Sequence, residues 1–408
     1  MIGTRGRGPQ TGGLSFAAIG DIPIRMGDAD DRPFDVLLIS AGVGAGHNQA
    51  AKAILEGLRL AQPGLPVRQI DALDYVSSFF RAYYADGFAF SMTHLARLYG
   101  AGFWLTDHPQ RPGRGLGERV RLAWERRFLG RLEQLLLEKR PRLIVHTHFL
   151  SPPAVSRLIR KHGLTSRQIV AVTDIVVHRW WYAEDVDHYF LPAPTGLERL
   201  ERWGIEPARL TVSGMPIHPK WVQPLDREKI YATWRLPRDK RIVVLTGGTI
   251  FTCGPIVRIA NEILAACPDA AVVVLAGRNK DLLADLSRQP HAGTRLFPQG
   301  FTDRGHELLE IADVMITKPG GITTAECLSK ALPMVLLKPV PGQEGGNARY
   351  FEQEKVALVA RSPADIVAAA GKLLSDRALR DAMSANARKL FRYGTAPIME
   401  YVLKAVGH

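Results

Sequence analysis

Cysteine is scarce in this 408-residue chain. Cys253, Cys267 and Cys327 are too few and too scattered for a disulfide framework or a zinc site, and a reducing cytoplasm is the expected compartment. No apolar run approaches the ~18–20 residues that span a bilayer, and the first residues lack the apolar core of a signal peptide. Zinc-finger spacing and RNP-like aromatic motifs are missing too, so nucleic acid is not an expected partner. Acidic residues are the minority charge, 40 Asp and Glu against 53 Lys and Arg, which leaves a net charge of +13. That balance selects acidic partners such as anionic lipid or phosphorylated substrates. The rest, 46% hydrophobic and 23% charged, describes an ordinary globular protein long enough for two domains with separate cores.

The most informative stretch runs from Gly300 to Phe351. Asp313–Thr317 is short, apolar and β-branched, the pattern of a buried strand. Lys318-Pro319-Gly320-Gly321 stops it and lets another backbone approach closely. Thr323 and Thr324 then open an apolar-periodic segment, Ala325 to Ala331, which reads as a helix. Strand, glycine turn and helix N-terminus together offer free N–H groups and a positive dipole end, a seat for phosphate. A second strand, Met334–Lys338, leads into a glycine-rich loop, Pro339–Asn347, that carries Gln343, Glu344 and Asn347. Those polar groups suit a hydroxyl-rich ligand, so phosphate binder and sugar binder stand back to back. The pair suggests a nucleotide-sugar site.

The string TKPGG…T…AE…GQEGGN resembles the C-terminal domain of the monogalactosyldiacylglycerol synthase and processive diacylglycerol glycosyltransferase family. These enzymes are relatives of the one that adds N-acetylglucosamine to the lipid-linked peptidoglycan precursor. The resemblance implies that the backbone at Gly300-Phe301 reads uracil and that Glu326 holds the ribose hydroxyls. Gly320, Gly321 and Thr323 would lie at the diphosphate, with Gln343, Glu344 and Asn347 at the sugar or closing the site.

The first half carries a matching set of features. Asp35–Ser40 reads as a strand, Ala41-Gly-Val-Gly44-Ala45-Gly46-His47 as a glycine-rich turn, and Asn48 to Leu60 as a helix. Its glycine spacing does not match the dinucleotide-binding pattern. His47 stands at the carboxyl end of a strand, where open α/β sheets place their chemistry, although a capping or surface histidine reads equally well from position alone. The resemblance makes this turn the family's glycine-rich loop with a terminal histidine, across the cleft from the donor. Leu143–His148 and Ile169–Asp174 are further strands; His146 and His148 read as satisfied strand-end histidines. Thr173-Asp174-Ile-Val-Val-His178-Arg-Trp-Trp181 resembles the family's TD…H..W pattern. It makes Asp174 a candidate to hold an acceptor hydroxyl or orient His47, and places His178 and Trp181, with Gly44 and Gly46, at the acceptor. Core packing is the other reading of both tryptophans.

Between Phe79 and Trp104 fall nine aromatics, with Phe79, Phe80, Tyr83 and Tyr84 on one helical face. From Pro109 to Arg142 there are ten Lys or Arg against four Glu. Apolar burial beside positive charge is what an interfacial membrane contact needs; a core helix beside a solvated one is the competing account.

Strands alternate with helices twice over, and Gly214-Met-Pro216-Ile-His-Pro219 reads as a hinge. The expected fold is α/β, two doubly wound Rossmann-like domains facing across a cleft, which in the resembling family is the glycosyltransferase-B arrangement. The expected layout is a disordered leader at 1–33, an acceptor and membrane domain at 34–216, a UDP-sugar domain at 217–390 and a returning helix at 391–408. The resemblance implies an inverting transfer of a hexose from a UDP-sugar to diacylglycerol, or on to a glycosyl-diacylglycerol. His47 is the expected general base, and neither metal nor cofactor is needed. UDP-hexose, diacylglycerol and anionic membrane lipids are the expected partners, at the inner face of the cell membrane. Asp28-Ala-Asp30 and Asp185-Val-Asp187 resemble a metal-binding DxD only superficially. The alternatives are an epimerase of a UDP-N-acetylglucosamine type, a transferase acting on a lipid-linked peptidoglycan precursor, and a membrane-surface binding protein with a degenerate site.

Overall fold

Two parallel six-stranded sheets organise the computed structural model, which describes residues 33–107, 115–247, 255–339 and 341–407. The first contains β1 (Val36–Ser40), β2 (Val67–Asp71), β3 (Leu143–His146), β4 (Arg167–Ala171), β5 (His188–Leu191) and β6 (Leu210–Val212), in the order β2-β1-β3-β4-β5-β6. The second contains β7 (Arg241–Thr246), β8 (Ala270–Gly277), β9 (Leu296–Gly300), β10 (Val314–Thr317), β11 (Met334–Leu336) and β12 (Ala357–Val359), in the order β12-β11-β10-β7-β8-β9. Every residue of β1 and of β10 is buried. Parallel strands covered by helices on both faces lose the polar alternation of half-exposed strands, which is why these read as continuous apolar runs. In each sheet the chain reverses direction beside its first strand, between β1 and β3 and between β7 and β10. Crevices at such reversals, at the carboxyl ends of the strands, are where open α/β sheets bind ligands.

Sequence patterning finds β1, β3, β4, β10 and β11 and misses β9, whose Pro298 argues against a central position. β9 lies at the edge of its sheet, where a missing N–H is tolerated. Two expected strands end early: His148 and Asp174 lie beyond β3 and β4, in the loops that follow. Two helices start earlier than periodicity indicates. The first begins at Ala45 and takes His47 into its first turn, and the one after β10 begins at Gly321. The segment expected as a loop with Gln343, Glu344 and Asn347 is a helix, Gln343–Gln353, entered through Gly342 at φ +106°. The expected leader with Asp28 and Asp30, and the turn Thr249–Cys253, lie outside the described residues.

The chain crosses between the sheets twice, and the two crossings clasp each other. Gly214 has φ +84°, and a Cβ there would overlap the Arg392 carbonyl oxygen. A Cβ on Gly394 would in turn overlap the Gly214 carbonyl. Thr395 Oγ1 donates to the Ile217 carbonyl at 2.7 Å, fixing the start of the returning helix to the hinge. Helix Thr395–Val406 then packs Ile398, Val402 and Val406 against Val36, Leu38 and Ile54 of the first sheet's core.

Replacing Gly214 with alanine adds left-handed strain and a backbone overlap, and should lower stability by at least about 2 kcal/mol in urea unfolding. Gly102 sits in helix Ala96–Thr106 with open space around its missing Cβ. Gly102→Ala should instead leave stability unchanged or raise it by about 0.5–1 kcal/mol.

Candidate active site

The glycine turn after β1 is held from below by one carboxylate. Asp71, at the end of β2, accepts from the Gly42 N–H at 3.1 Å and from Asn48 Nδ2 at 3.2 Å. A side chain on Gly42 would strike Asp71 Oδ2 and push this carboxylate off the turn. Gly44, at φ +83°, then launches the helix, and Gly46 faces Ile322 across the cleft at 3.7 Å from its missing Cβ.

His47 is half-buried in that first turn. Its Nδ1 lies 3.0 Å from the Thr147 carbonyl oxygen and 2.7 Å from Thr173 Oγ1. A carbonyl only accepts, so Nδ1 carries the proton and Nε2 keeps a lone pair. Burial, opposed by the Thr147 hydrogen bond, lowers the imidazole pKa to about 4. The general base expected near neutrality is thus a fully neutral imidazole at pH 7.

Asp174 is buried and accepts from two donors. Trp181 Nε1 lies at 2.7 Å from one oxygen, and Gln343 Nε2, from the other half of the molecule, donates to the other. Burial raises its pKa to about 7, with the Trp181 hydrogen bond pulling the other way. Trp181 corrects an expectation: it is wholly buried and cannot pack on a lipid or sugar. The indole on the cavity wall is Trp180. His178 is likewise an anchor. Its Nε2 donates to the Phe103 carbonyl at 3.1 Å while Nδ1 accepts from Trp180 N–H at 3.2 Å. Asp107 ties the same helix end down, accepting from Arg179 N–H at 3.1 Å and Arg199 Nη1 at 2.7 Å.

These groups line a cavity of about 510 Å³ with largely aromatic walls. Phe80, Tyr84, Phe90, Trp124 and Phe149 contribute, and Gln343 closes one side. The expected aromatic face divides: Phe80 is buried and stacks on Tyr84 and Phe128, whereas Phe79 and Tyr83 stay exposed. Ten of the thirteen exposed large hydrophobics among the described residues fall between Phe79 and Trp124. Inside the cavity Arg121 forms a two-pronged pair with buried Glu125, both distances 2.8 Å, and its guanidinium lies 5.7 Å from the Trp180 ring centre. His148, read from sequence as a satisfied strand-end histidine, also reaches this wall, its ring 4.5 Å from that of His47. His146 is the satisfied one, between Ser151 at 2.7 Å and Gln168 at 3.1 Å.

Facing the cavity stands helix Gly321–Ser329, whose first N–H groups follow Gly320. Half-buried Thr323 is in its first turn, and Thr324 Oγ1 donates to the Gly320 carbonyl at 2.8 Å. A Cβ on Gly321 would come within 2.8 Å of the Thr173 carbonyl oxygen, so this helix N-terminus abuts the residue that holds His47. Buried Asn347 joins the two glycine segments, donating to the Pro319 carbonyl at 2.9 Å. Gly346 makes a second close approach, with Val176 at 2.7 Å from its missing Cβ. Glu344 and Asp174 both bear on Tyr99, whose hydroxyl pKa is raised first by burial and then by these carboxylates.

Glu326 faces away from this group, toward Lys220 and Trp221 near the hinge. Burial lifts its pKa to about 8, against the Lys220 charge and a Trp221 hydrogen bond. Gly300 ends β9, and Phe301 is exposed with the Arg278 guanidinium 5.2 Å above its ring. The structure therefore collects His47, Asp174, His178 and Gln343 at one cavity, and Gly320, Gly321, Thr323 and Asn347 beside it. No group of three or more His, Cys, Asp or Glu among the described residues is arranged to hold a metal ion.

A monogalactosyldiacylglycerol (MGDG) synthase family model matches residues 47–217. The processive diacylglycerol beta-glucosyltransferase of Bacillus licheniformis is 31% identical over 64% of this chain and 67% of its own length. Its Bacillus subtilis namesake is 28% identical over 90% and 94%. Among solved structures, the kitacinnamycin glycosyltransferase aligns with TM-score 0.60 at 18% identity, over 92% of this chain and 100% of its own. Acinetobacter baumannii MurG aligns with TM-score 0.56 at 13% identity, over 91% and 100%. At those identities the likeness shows the fold alone, the two-domain glycosyltransferase-B arrangement.

Asp174 carries a pH signature. Its folded pKa of about 7 lies above that of an unfolded aspartate, so the folded state binds the extra proton. The resulting stability is full below about pH 4 and is lost as pH rises to about 7. Urea unfolding between pH 4 and 8 should show Asp174→Asn losing this decline, a difference of at most about 4 kcal/mol.

Proposed function

The chain belongs to the monogalactosyldiacylglycerol synthase and processive diacylglycerol glycosyltransferase family, and on that premise we propose that it moves a hexose from a UDP-sugar to diacylglycerol. In this reading the transfer is inverting, independent of metal, and takes place at the inner surface of the cell membrane. One observation carries it: the Thr173 carbonyl packs against Gly321 while the Thr173 hydroxyl meets His47. A lone-pair imidazole in an apolar cavity and a glycine-capped helix N-terminus are thereby neighbours.

The donor diphosphate lies at the first N–H groups of helix Gly321–Ser329, where the dipole offsets the charge gathering on the leaving UDP. Glu326 takes the ribose hydroxyls, and the Gly300-Phe301 backbone takes the base. Gln343, Glu344 and Asn347 approach the sugar from helix Gln343–Gln353. The acceptor glycerol enters the aromatic cavity with its free hydroxyl toward His47 Nε2. As that oxygen forms the new bond to the anomeric carbon, its proton passes to Nε2 and the bond from the anomeric carbon to the diphosphate oxygen breaks. Attack opposite the leaving group inverts the centre. A pKa of about 4 makes His47 a weak base by itself; the charge of a bound diphosphate favours the imidazolium and raises it.

The exposed residues of helix Leu116–Arg126 support the membrane reading. Leu116, Val120 and Trp124 repeat at i, i+4, i+8 and are all exposed, with Arg119, Arg126 and Arg127 close by in sequence. Apolar insertion and headgroup attraction would act together there.

Purified protein, diacylglycerol vesicles and each UDP-hexose in turn should give a glycosyl-diacylglycerol by mass spectrometry. His47→Ala should reduce its rate by roughly 100-fold or more, and Glu326→Ala should raise the donor KM. Interconversion of a free UDP-sugar with no lipid product would make the chain an epimerase and end this reading.

A further inference from the structure

The two imidazoles at the cavity wall are held in opposite tautomers. His47 donates through Nδ1 to the Thr147 carbonyl, which leaves a lone pair at Nε2. His148 Nδ1 instead accepts from the Leu150 backbone N–H at 3.0 Å. An N–H donor can bond only to an unprotonated ring nitrogen, so the proton of neutral His148 is on Nε2. Burial and the neighbouring His47 keep His148 neutral, both lowering its pKa. The rings lie 4.5 Å apart at 81° to each other, and both line the cavity. Neither Nε2 has a hydrogen-bond partner among the described residues. One end of an aromatic cavity thus presents one acceptor and one donor, side by side.

We propose that His148 Nε2–H donates to the ester carbonyl beside the acceptor hydroxyl, so that the cavity selects ester-linked over ether-linked glycerol acceptors. The inference rests on the transferase reading above and adds a specificity-determining residue to it. A diacylglycerol carries, next to its free hydroxyl, an acyl ester whose carbonyl is a hydrogen-bond acceptor. The hydroxyl gives its proton toward His47 Nε2, while the carbonyl takes a hydrogen bond from His148 Nε2–H. An ether-linked glycerol has the same hydroxyl and the same apolar chains but no carbonyl. It leaves a buried donor unpaired, and a site built around a hydrogen bond discriminates against a ligand that lacks the partner. The surrounding rings of Tyr84, Phe149 and Trp181, within 4.1–6.5 Å of His148, hold the imidazole in place and keep water from substituting for the carbonyl.

The test is competition within one vesicle. Equal amounts of a diacylglycerol and a dialkylglycerol with matched chains are mixed in the same membrane, and both glycolipid products are counted by mass spectrometry. Because both acceptors share the surface, membrane binding cancels from the product ratio. Wild-type protein should favour the ester by about tenfold, the value of one hydrogen bond of ordinary strength. His148→Phe removes the donor and should bring the ratio close to one. His148→Gln restores an N–H at a similar reach and should recover part of the preference. Equal use of both acceptors by wild-type protein would overturn the role of His148 while leaving the transferase reading intact. The absence of product from either acceptor would remove the transferase reading and this inference together. The wild-type ratio stands even if a variant fails to fold.

Discussion

One carbonyl oxygen against one glycine sets how closely the two halves of this molecule meet. Thr173 leaves the end of β4, bonds His47 through its hydroxyl, and turns its carbonyl toward Gly321 at a distance that no side chain there would permit. Gly346 against Val176 is a second approach within the same cleft that a side chain would obstruct. Gly321 brings backbone to backbone, so that a helix N-terminus from one sheet and an imidazole from the other share an environment. Close packing of this kind makes the relative position of the halves a property of side-chain size rather than of loop length.

Burial then decides the chemistry. The cavity that excludes water from His47 also pushes its pKa to about 4 and that of Asp174 to about 7. The imidazole is therefore neutral at pH 7 and the carboxyl is poised near neutrality. The substrate brings further charge, and in a dry site that charge has a large effect on its neighbours. Gln343 and Trp181 donate to Asp174 from opposite halves, so this carboxylate also registers whether the cleft is assembled.

Much of this was legible in the sequence, and the gaps have physical reasons. Buried parallel strands declare themselves through apolar runs, as with Val36–Ser40 and Val314–Thr317, and the glycine turns after them follow from the breaker residues. The edge strand Leu296–Gly300 is hidden by its proline, which is tolerated at the edge of a sheet. The loop expected at Pro339–Asn347 is half helix, because Gln343 opens the helix Gln343–Gln353; glycine weakens helices, yet Gly346 is present because Val176 leaves no room for a side chain. Trp180 and Trp181 are adjacent and chemically alike; only the fold turns one into the cavity and the other onto Asp174. His148 looked like a strand-end histidine because nothing local reveals the ring of His47, 101 residues earlier in the chain, beside it.

Steady-state kinetics of Gly321→Ala test the central claim most directly. The backbone N–H groups of the helix survive this change, but the added methyl group forces the Thr173 carbonyl and the Met215 side chain away. A displacement on the order of 1 Å between reacting groups costs roughly 100-fold in rate. kcat should fall by at least about tenfold, with UDP affinity changed by much less. An unchanged kcat would contradict it, because the contact between Thr173 and Gly321 would then not be what aligns the two halves for reaction.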